Sequence, residues 1–397
     1  MSRSDPTEPP TIAERDPDVG TPLYVHLPFC AAKCHYCDFF SVPDAGQDVD
    51  GMLATMMTEI RRRAPLRPRT VFLGGGTPSL LSIPQLRQFL DGLHAHTGFR
   101  DSAVEVTAEC NPESLDLDKA RAMLDLGVNR LSIGFQALDQ GALELFGRVH
   151  EVDDSFRAFE AAREAGLGSI NIDLIYAWPD QTLEGWVADL ERVLALEPEH
   201  LAAYNLTYEE GTRFTTWLED GRLKKSPEDL ELALFETVRG AAKERGMDAY
   251  EVSNYSTNGR QCLHNLNYWA NGPYVGVGPS AVSFTHLRRA GNPRGLNSYR
   301  RAVERGGDPA AWDEMLEPAA RLAETWWLGL RLKDGVDPVQ ARTAARFPEA
   351  GDDPCVRQAR RLEGLGLLEE LNGRFRLTER GLPLADGVAK ELLVPGN

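Results

Sequence analysis

The chain has 397 residues, of which 42% are hydrophobic and 26% are charged, and its formal net charge is −17 at pH 7. This length and composition predict a globular protein with an α/β domain and a smaller second domain. The acidic balance argues against a general nucleic-acid binder, whose binding surface would be basic. No apolar run approaches the ~20 residues that a membrane-spanning helix needs.

The first segment, residues 1–20 (MSRSDPTEPPTIAERDPDVG), is rich in Pro and Asp and lacks the apolar region of a secretory signal. We predict that it forms a disordered tail. Six cysteines are too few for a disulfide scaffold in a chain of this length, and three of them are clustered while three are isolated. This use of cysteine indicates a reducing, cytoplasmic compartment.

In residues 21–250, short β-rich runs alternate with amphipathic stretches. The predicted strands are TPLYVHL, RTVFLGG, AVEVTAE, RLSIGFQ, SINIDLIY and HLAAYNL. The predicted helices between them are Val49–Arg63, Pro84–His96, Leu117–Leu126, Phe156–Ala165 and Leu183–Leu196. This alternation predicts α/β architecture with a parallel sheet, and six such units fit a partial (β/α)6 TIM-like barrel. The chemistry of such barrels lies at the C-terminal ends of the strands.

The rest of the chain is predicted as two further segments. Residues 251–310 form a polar, aromatic and Gly-rich linker, and residues 311–397 form a smaller C-terminal domain. That domain shows a helix near 319–332, a second helical stretch, a β-hairpin at NGRFRLTERG and a last helix, which is the order of a winged-helix module. Basic and acidic residues are equal in number from Arg321 onward, so the composition favours a packing lid over the barrel rather than DNA binding.

Three cysteines follow the first predicted strand. Cys30, Cys34 and Cys37 have C-x3-C-x2-C spacing, and thiolates this close repel one another unless a metal neutralises them. Zinc held by these thiolates and by His26 or His35 is one interpretation. The other is an iron–sulfur cluster, which normally takes four thiolates and would here keep one iron open. Because C-x3-C is unusual for zinc and the loop lies at the catalytic end of a strand, the cluster is favoured.

Further polar or glycine-rich stretches follow the later strands. GGGTPS at residues 74–79 would let a ligand approach the backbone closely, although a tight turn would look the same. Glu109, Gln136, Arg148 and Asp173 each follow or end a later strand. Each of them alone could be a helix cap or a surface pair. Together they predict hydrogen-bonding groups at one barrel mouth, which suits a ligand with an amine, a carboxylate and hydroxyls.

These motifs together resemble the radical S-adenosylmethionine (SAM) superfamily. The resemblance implies a [4Fe–4S] cluster on Cys30, Cys34 and Cys37, with SAM at its open iron and a 5′-deoxyadenosyl radical formed when the cluster is reduced. YVHLPFC, GGGTPS, the GFQ…FGR spacing and IDLIYAWP resemble the oxygen-independent coproporphyrinogen III oxidase branch. The residues implied to bind SAM are Tyr24, Tyr36, Gly75, Gly76, Thr77, Glu109, Gln136, Arg148 and Asp173.

Two features separate the chain from the porphyrinogen enzymes of that branch. Those enzymes carry a further cysteine two places after the third, where this chain has Phe39. HNLNYW at residues 264–269 resembles the signature of the heme chaperone subgroup HemW, of which CDFF is also typical. The resemblance therefore implies a haem-binding chaperone with His264 as the haem-iron ligand. A structural histidine beside two core aromatics is the alternative.

The resemblance also implies partners. They are haem, acceptor haemoproteins such as respiratory-chain enzymes, and an electron donor, while transient membrane contact and a homodimer are left open. The alternative enzymatic function is oxidative decarboxylation of coproporphyrinogen III to protoporphyrinogen IX, and the residues implied to form the radical are all present. A zinc-stabilised binding module is a third interpretation.

Overall fold

The structure is a computed structural model that describes residues 20–285, 287–348 and 352–393. Of the predicted N-terminal tail, residues 1–19 lie outside the described residues. The described chain forms an α/β domain, in which parallel strands are wrapped by helices, and a smaller C-terminal module. This is the predicted fold class.

The strands form one large sheet and several small ones. In chain order they are β1 (Leu23–Leu27), β2 (Phe29–Cys30), β3 (Val42–Pro43), β4 (Thr70–Gly75), β5 (Glu105–Cys110), β6 (Arg130–Gln136), β7 (Ile170–Tyr176), β8 (His200–Asn205), β9 (Asp248–Ala249), β10 (Asn254–Ser256), β11 (Val275–Val277), β12 (Val282–Thr285), β13 (Arg288–Gly291), β14 (Trp312–Met315), β15 (Leu368–Leu371) and β16 (Arg374–Leu377).

The helices are of ordinary length for a globular protein. In chain order they are α1 (Val49–Arg63), α2 (Ile83–Thr97), α3 (Phe99–Ser102), α4 (Leu117–Asp125), α5 (Gln140–Phe146), α6 (Val152–Glu164), α7 (Leu183–Leu194), α8 (Arg213–Glu219), α9 (Glu228–Glu244), α10 (Leu263–Trp269), α11 (Leu296–Glu304), α12 (Pro318–Gly329), α13 (Pro338–Ala345), α14 (Pro354–Gly364) and α15 (Ala385–Leu393). In the ranges that the structure describes, no helix combines the length and apolarity needed to cross a membrane.

The large sheet contains the predicted barrel wall. Its order is β11-β1-β4-β5-β6-β7-β8-β10-β9, in which β1 and β4 to β8 are parallel neighbours in chain order. The order is linear, so the wall is an open, partial barrel as predicted. Strand β11, which pairs in parallel with β1, was not predicted, because a three-residue strand inside a Gly-rich segment has too short a pattern to recognise in the sequence.

Local sequence sets the ends of the surrounding helices. At the start of α2, the Ser82 side chain accepts from the N–H of Gln85 and the Gln85 side chain accepts from the N–H of Ser82, while Gly98 ends the helix with a φ of 68°. The inner faces of α2 and α7 bury side chains such as Leu90 and Trp186 in the core that the helices share with the strands. Each such burial contributes about 2 kcal/mol.

The C-terminal module has a core of its own. Helices α12, α13 and α14, the hairpin β15–β16 and α15 enclose Trp326, Leu362 and Phe375. This order is winged-helix-like, with α13 added to the predicted elements. The module contacts the barrel through α12, where Arg321 donates to the carbonyl oxygen of Asn271, two residues after α10. It therefore rests against the segment that carries α10.

Candidate functional site

The three cysteines lie in the loop that follows β1. Cys30 ends β2, which pairs with β3, and Cys34 and Cys37 lie in the turns between those two strands. The N–H of His35 donates to the last carbonyl oxygen of α5 (2.8 Å), and its carbonyl oxygen accepts from a backbone N–H of α8 (3.1 Å). Two helices that are distant in sequence therefore hold this cysteine loop in place.

The cysteine loop offers the donor set of an iron–sulfur site. All three cysteines are free and partly exposed. Burial, with repulsion from Cys34, raises the pKa of Cys37 to about 12, and burial also raises the pKa of Cys30. These two thiols are protonated at neutral pH, so a bound metal must displace their protons. Among the described residues, no three His, Cys, Asp or Glu side chains are already grouped as metal ligands. A [4Fe–4S] cluster binds each thiolate through a different iron, so its ligands need not surround a single ion.

The two histidines named as a fourth zinc ligand are both engaged elsewhere. His26 accepts at Nδ1 from the Tyr24 hydroxyl (3.0 Å) and donates from Nε2 to the Phe40 carbonyl oxygen (2.7 Å). His35 donates from Nδ1 to a carbonyl oxygen of α5 (2.9 Å), and its Nε2 lies 3.1 Å from the Arg213 guanidinium. As they lie, neither histidine offers a nitrogen to the thiols, which weakens the zinc interpretation.

The glycine run at the C-terminal end of β4, residues 74–76, lies directly against the cysteine loop. Gly75 has a φ of 96°, and a Cβ there would lie 2.4 Å from the His26 ring. At Gly76, a Cβ would lie 2.5 Å from the Phe29 carbonyl oxygen, which accepts from the Thr77 N–H at 2.7 Å. Only glycine permits both the positive φ and these close approaches. The glycines therefore allow the β4 loop and the chain that carries Cys30 to touch.

Two carboxylates face the barrel lumen at the same end of the strands. Glu109 accepts the N–H of Gly75 at Oε2 (3.1 Å), and Asp173 accepts from the Ser132 hydroxyl (2.9 Å) and from the Asn171 amide (2.8 Å). Burial, with repulsion from Asp173, raises the pKa of Glu109 to about 8, and burial also raises the pKa of Asp173. A cationic ligand would favour the ionised form of both groups.

Arg148 joins the cysteine loop to the barrel wall. Its guanidinium donates to the Asn111 side chain (2.8 Å) and to the Gly134 carbonyl oxygen (3.0 Å), and Nη1 lies 3.6 Å from the Cys34 sulfur. Nearby, Gln136 has a φ of 66° where the pairing of β6 with β7 becomes irregular. A non-glycine residue whose backbone is held in this left-handed conformation is strained, and such strain often occurs at ligand sites.

The two tyrosines of the predicted SAM site lie on either side of these groups. Tyr24 is on β1, with its ring centroid 6.2 Å from that of Phe72. Tyr36, in the cysteine loop, packs edge-on against Phe146 (5.3 Å) and Phe214 (6.2 Å). Burial raises the pKa of both phenols, so both are neutral hydrogen-bonding groups. The structure thus collects eight of the nine predicted SAM residues near the C-terminal ends of β1 and β4 to β7, whereas Tyr24 is the second residue of β1 and extends toward that end through its hydroxyl, which bonds to His26.

Several polar residues of this site were not predicted from the sequence. Asn111 donates to the Thr77 hydroxyl (3.0 Å) and accepts from Arg148, which links the two loops. The register also aligns four interior residues across β5 to β8, which we call the polar row: Glu109, Ser132, Asn171 and His200. The period of two along each strand predicts that these side chains share a face with the site, but not that they are neighbours.

His264 lies at the opposite end of the barrel from the cysteines. It is 0% exposed, and its ring nitrogens are hydrogen-bonded to the hydroxyls of Thr70 (2.8 Å) and Tyr268 (3.0 Å). The Glu105 carboxylate accepts the first backbone N–H groups of α10 at 2.8 and 2.9 Å. Because Thr70 and Glu105 begin β4 and β5, α10 closes the N-terminal end of the barrel. A haem iron could bind His264 only if these hydrogen bonds were replaced, so its role as a haem ligand stays a prediction.

Phe39 has the opposite environment. Its side chain is 61% exposed beside Cys37 at the C-terminal end of the barrel. An aromatic ring with this exposure contributes little to the core, so its surface is available to a ligand or a partner.

The chain matches two family models. The model of the Radical SAM superfamily matches residues 24–193, which include the cysteine loop and β1 to β7, and the model of the HemN C-terminal domain matches residues 316–384. The second range covers most of the C-terminal module.

Individual relatives cover nearly the whole chain. The heme chaperone HemW of Bacillus subtilis (strain 168) is 32% identical over 92% of this chain and 97% of its own length. The heme chaperone HemW of Mycobacterium tuberculosis (strain ATCC 25618 / H37Rv) is 32% identical over 98% of this chain and 99% of its own length. The protein of that name from Escherichia coli (strain K12) is 37% identical over 74% of this chain and 80% of its own.

One solved structure shares the fold over both domains. It is coproporphyrinogen III oxidase (HemN) from Escherichia coli, described as a radical SAM enzyme, with a TM-score of 0.81 over 95% of this chain and 91% of that chain. The sequence identity is 23%, so this likeness shows the fold alone.

Proposed function

We propose that this chain, which belongs to the radical SAM superfamily and, within it, to the family of heme chaperone HemW, is a cytoplasmic haem chaperone. In this proposal the protein binds a [4Fe–4S] cluster, SAM and haem, and it delivers the haem to acceptor haemoproteins.

The observation that carries the proposal is the convergence of the site residues at one end of the barrel. Arg148 contacts both Cys34 (3.6 Å) and Asn111 (2.8 Å), and Asn111 contacts Thr77 (3.0 Å). The thiols and the glycine run therefore belong to one hydrogen-bonded assembly, and Glu109 joins it through Gly75 (3.1 Å). Such an assembly supports one composite ligand site rather than separate structural features.

Within this site, the chain's own groups have distinct roles. Cys30, Cys34 and Cys37 would hold the cluster, which when bound supplies an open iron and an electron to SAM. Glu109 and Asp173 are partly exposed to the lumen, where the cationic groups of SAM would favour the ionised form of both carboxylates and pair with them. The other residues assigned to SAM are Tyr24, Tyr36, Gly75, Gly76, Thr77, Gln136 and Arg148.

Haem is the cargo in this proposal, and two features favour it over the porphyrinogen reaction. Phe39 stands where the dehydrogenases carry a further cysteine, and HNLNYW forms all of α10 except its first residue, Leu263. Haem binding through His264 would require α10 to move, because His264 is 0% exposed and both of its ring nitrogens are hydrogen-bonded. An external electron donor and acceptor haemoproteins complete the proposed partners, and a homodimer and transient membrane contact are compatible with it.

An anaerobic assay distinguishes the chaperone from the enzyme. Protein with a reconstituted cluster is incubated with SAM, a reductant and coproporphyrinogen III, and in parallel with haemin followed by an apo-haemoprotein. We expect haem transfer faster than from albumin-bound haemin, and no protoporphyrinogen IX. Formation of protoporphyrinogen IX over many turnovers would contradict the chaperone function.

A haemin titration tests the predicted iron ligand. We expect wild-type protein to shift the Soret band of haemin and His264→Gln to lose that shift, while His96→Gln on α2 keeps it. Because α10 has to open first, the rate of the shift should reach a plateau as haemin concentration rises. Identical spectra for wild type and His264→Gln would remove His264 as the ligand.

A further inference from the structure

A hydrogen-bonded chain crosses the barrel interior along the polar row. It begins at Tyr250, whose hydroxyl lies 2.8 Å from Nε2 of His200, and Nδ1 of His200 lies 2.5 Å from the Asn171 side-chain oxygen. Asn171 then contacts Ser132 (2.6 Å), and both reach Asp173 (2.8 and 2.9 Å). The chain therefore connects the N-terminal end of β8 to a carboxylate of the proposed SAM site.

The direction of every hydrogen bond in this chain can be assigned. The Tyr250 oxygen accepts the backbone N–H of Cys262 (3.4 Å), so its own proton is available to Nε2 of His200. Nδ1 of His200 must then carry the proton, because the Asn171 oxygen opposite it can only accept. With its oxygen held there, Asn171 presents its amide hydrogens to Ser132 and Asp173.

The arrangement with the Asn171 amide turned over is unfavourable when Asp173 is ionised, the form that a cationic ligand favours. The amide oxygen would then face the carboxylate, and both groups are acceptors. His200 is 1% exposed, and burial, with the nearby Arg130 charge, holds its pKa well below the usual value. A neutral imidazole with one donor and one acceptor is therefore the stable form at physiological pH.

We infer that His200 is a positioning residue for Asp173, acting through Asn171. This inference rests on the proposed function, since it assigns the row to the SAM site. Each oxygen of Asp173 receives one hydrogen bond from the row, Oδ1 from Asn171 and Oδ2 from Ser132. The carboxylate is thus held in one orientation, and its other lone pairs are left for the hydrogen-bond donors of a bound ligand. His200 itself is 1% exposed, so it acts on a ligand only through the groups that it positions.

The test measures SAM affinity in protein with a reconstituted cluster. We expect His200→Leu to weaken SAM binding by about tenfold, the usual effect of one hydrogen bond to a charged group. His200→Gln keeps one donor and one acceptor and should restore most of the affinity. Tyr250→Phe, which removes only the far end of the chain, should give a smaller loss in the same direction and serves if His200→Leu folds poorly. The visible absorbance of the cluster should not change in any of them.

A double-mutant cycle separates positioning from general stability. If His200 acts through Asp173, then His200→Leu should cost nothing further in an Asp173→Asn background. Leu190→Ala on α7, a core change away from the row, should lower the melting temperature without changing SAM affinity. An equal loss of affinity in both backgrounds, or the same loss in Leu190→Ala, would overturn the inference.

The same measurements separate the two proposals. If Asp173→Asn weakens SAM binding and His200→Leu does not, only the positioning role fails. If Asp173→Asn leaves SAM binding unchanged, the proposed SAM site fails, and the role of His200 fails with it.

Discussion

The two ends of the barrel are built on the same strands but differ in the exposure and the hydrogen-bond partners of their polar groups. At the N-terminal end, His264 and Glu105 are 0% and 6% exposed, and the chain itself supplies their hydrogen-bond partners. At the C-terminal end, the thiols and both carboxylates are partly exposed, and Gln136 is held at a positive φ. Polar groups that the fold does not satisfy are expected where a ligand completes them. The comparison indicates that the C-terminal end is open to a ligand as it stands, whereas haem could bind at His264 only by replacing hydrogen bonds that stabilise the N-terminal end.

The largest expected effect is at the C-terminal end. Cys34→Ser should abolish the visible absorbance of the reconstituted cluster, because two thiolates do not hold the cluster that three would. The melting temperature of the metal-free protein should stay the same, since Cys34 lies in a partly exposed loop.

The matched control is Cys355→Ser in the C-terminal module. Cys355 is 3% exposed in that module's core, so this change should lower the melting temperature and keep the cluster. A cluster retained in Cys34→Ser would show that the C-terminal end does not bind a cluster through these thiols.

The next effect is at the N-terminal end. Glu105→Gln removes a buried charge that accepts two N–H groups of α10 and that lies near the buried Arg130. Removing the attraction that Glu105 exerts on the buried Arg130 should lower the free energy of unfolding by roughly 3 kcal/mol, measured in urea on metal-free protein. The exposed Glu164, paired with Arg121 at 3.3 Å, is the control, and Glu164→Gln should have no measurable effect. Equal stability of the two variants would contradict a structural role for this end.

A third prediction concerns pH at the C-terminal end. The pKa of Glu109 is raised from 4.5 to about 8, so the folded state binds this proton more tightly than the unfolded state. The resulting stability is fully present below pH 4.5 and is lost as pH rises through 8. Glu109→Gln should therefore be more stable than wild type at pH 8 by about 1 to 3 kcal/mol, and equally stable at pH 4.5.

Thermal melts across this pH range check the prediction. The same substitution should abolish SAM binding, which distinguishes a binding group from a structural one. A variant that is less stable than wild type at pH 8 would place Glu109 with the structural groups of the other end.

The smallest expected change in stability is at Phe39. Because its side chain is 61% exposed, Phe39→Ala should change the free energy of unfolding by less than about 0.5 kcal/mol. Phe29→Ala, at a residue that is 1% exposed, should cost about 3 to 5 kcal/mol. We expect Phe39→Ala to weaken SAM binding nonetheless, because Phe39 lies two residues after Cys37 at the proposed SAM site. If it changes neither stability nor binding, the exposed ring has no role in ligand recognition.

Much of the fold could be predicted from local patterns. Strand and helix alternation predicted six βα units, and α1 begins and ends at the predicted residues, Val49 and Arg63. The cysteine spacing and the exceptional Phe39 predicted the family, which the relatives confirm. These features can be predicted from the sequence because they depend on residues that are close together in the chain.

Other features could not be read in this way. The expectation of a lid does not specify an end of the barrel, and the C-terminal module rests against α10 because Arg321 meets Asn271, 50 residues earlier. HNLNYW could be recognised as a motif, but the burial of its His264 against Thr70 could not be predicted. The residues that complete the site, Asn111, Asn171 and His200, have no signature of their own.

The sequence by itself therefore determined the elements, the family and the groups capable of chemistry. Only the tertiary structure decided which end of the barrel each group occupies and which groups share hydrogen bonds. The physical reason is that periodicity gives the face on which a side chain lies, whereas strand register decides its neighbours. Asn171 meets His200 across β7 and β8 although 29 positions separate them, and no local pattern encodes that contact.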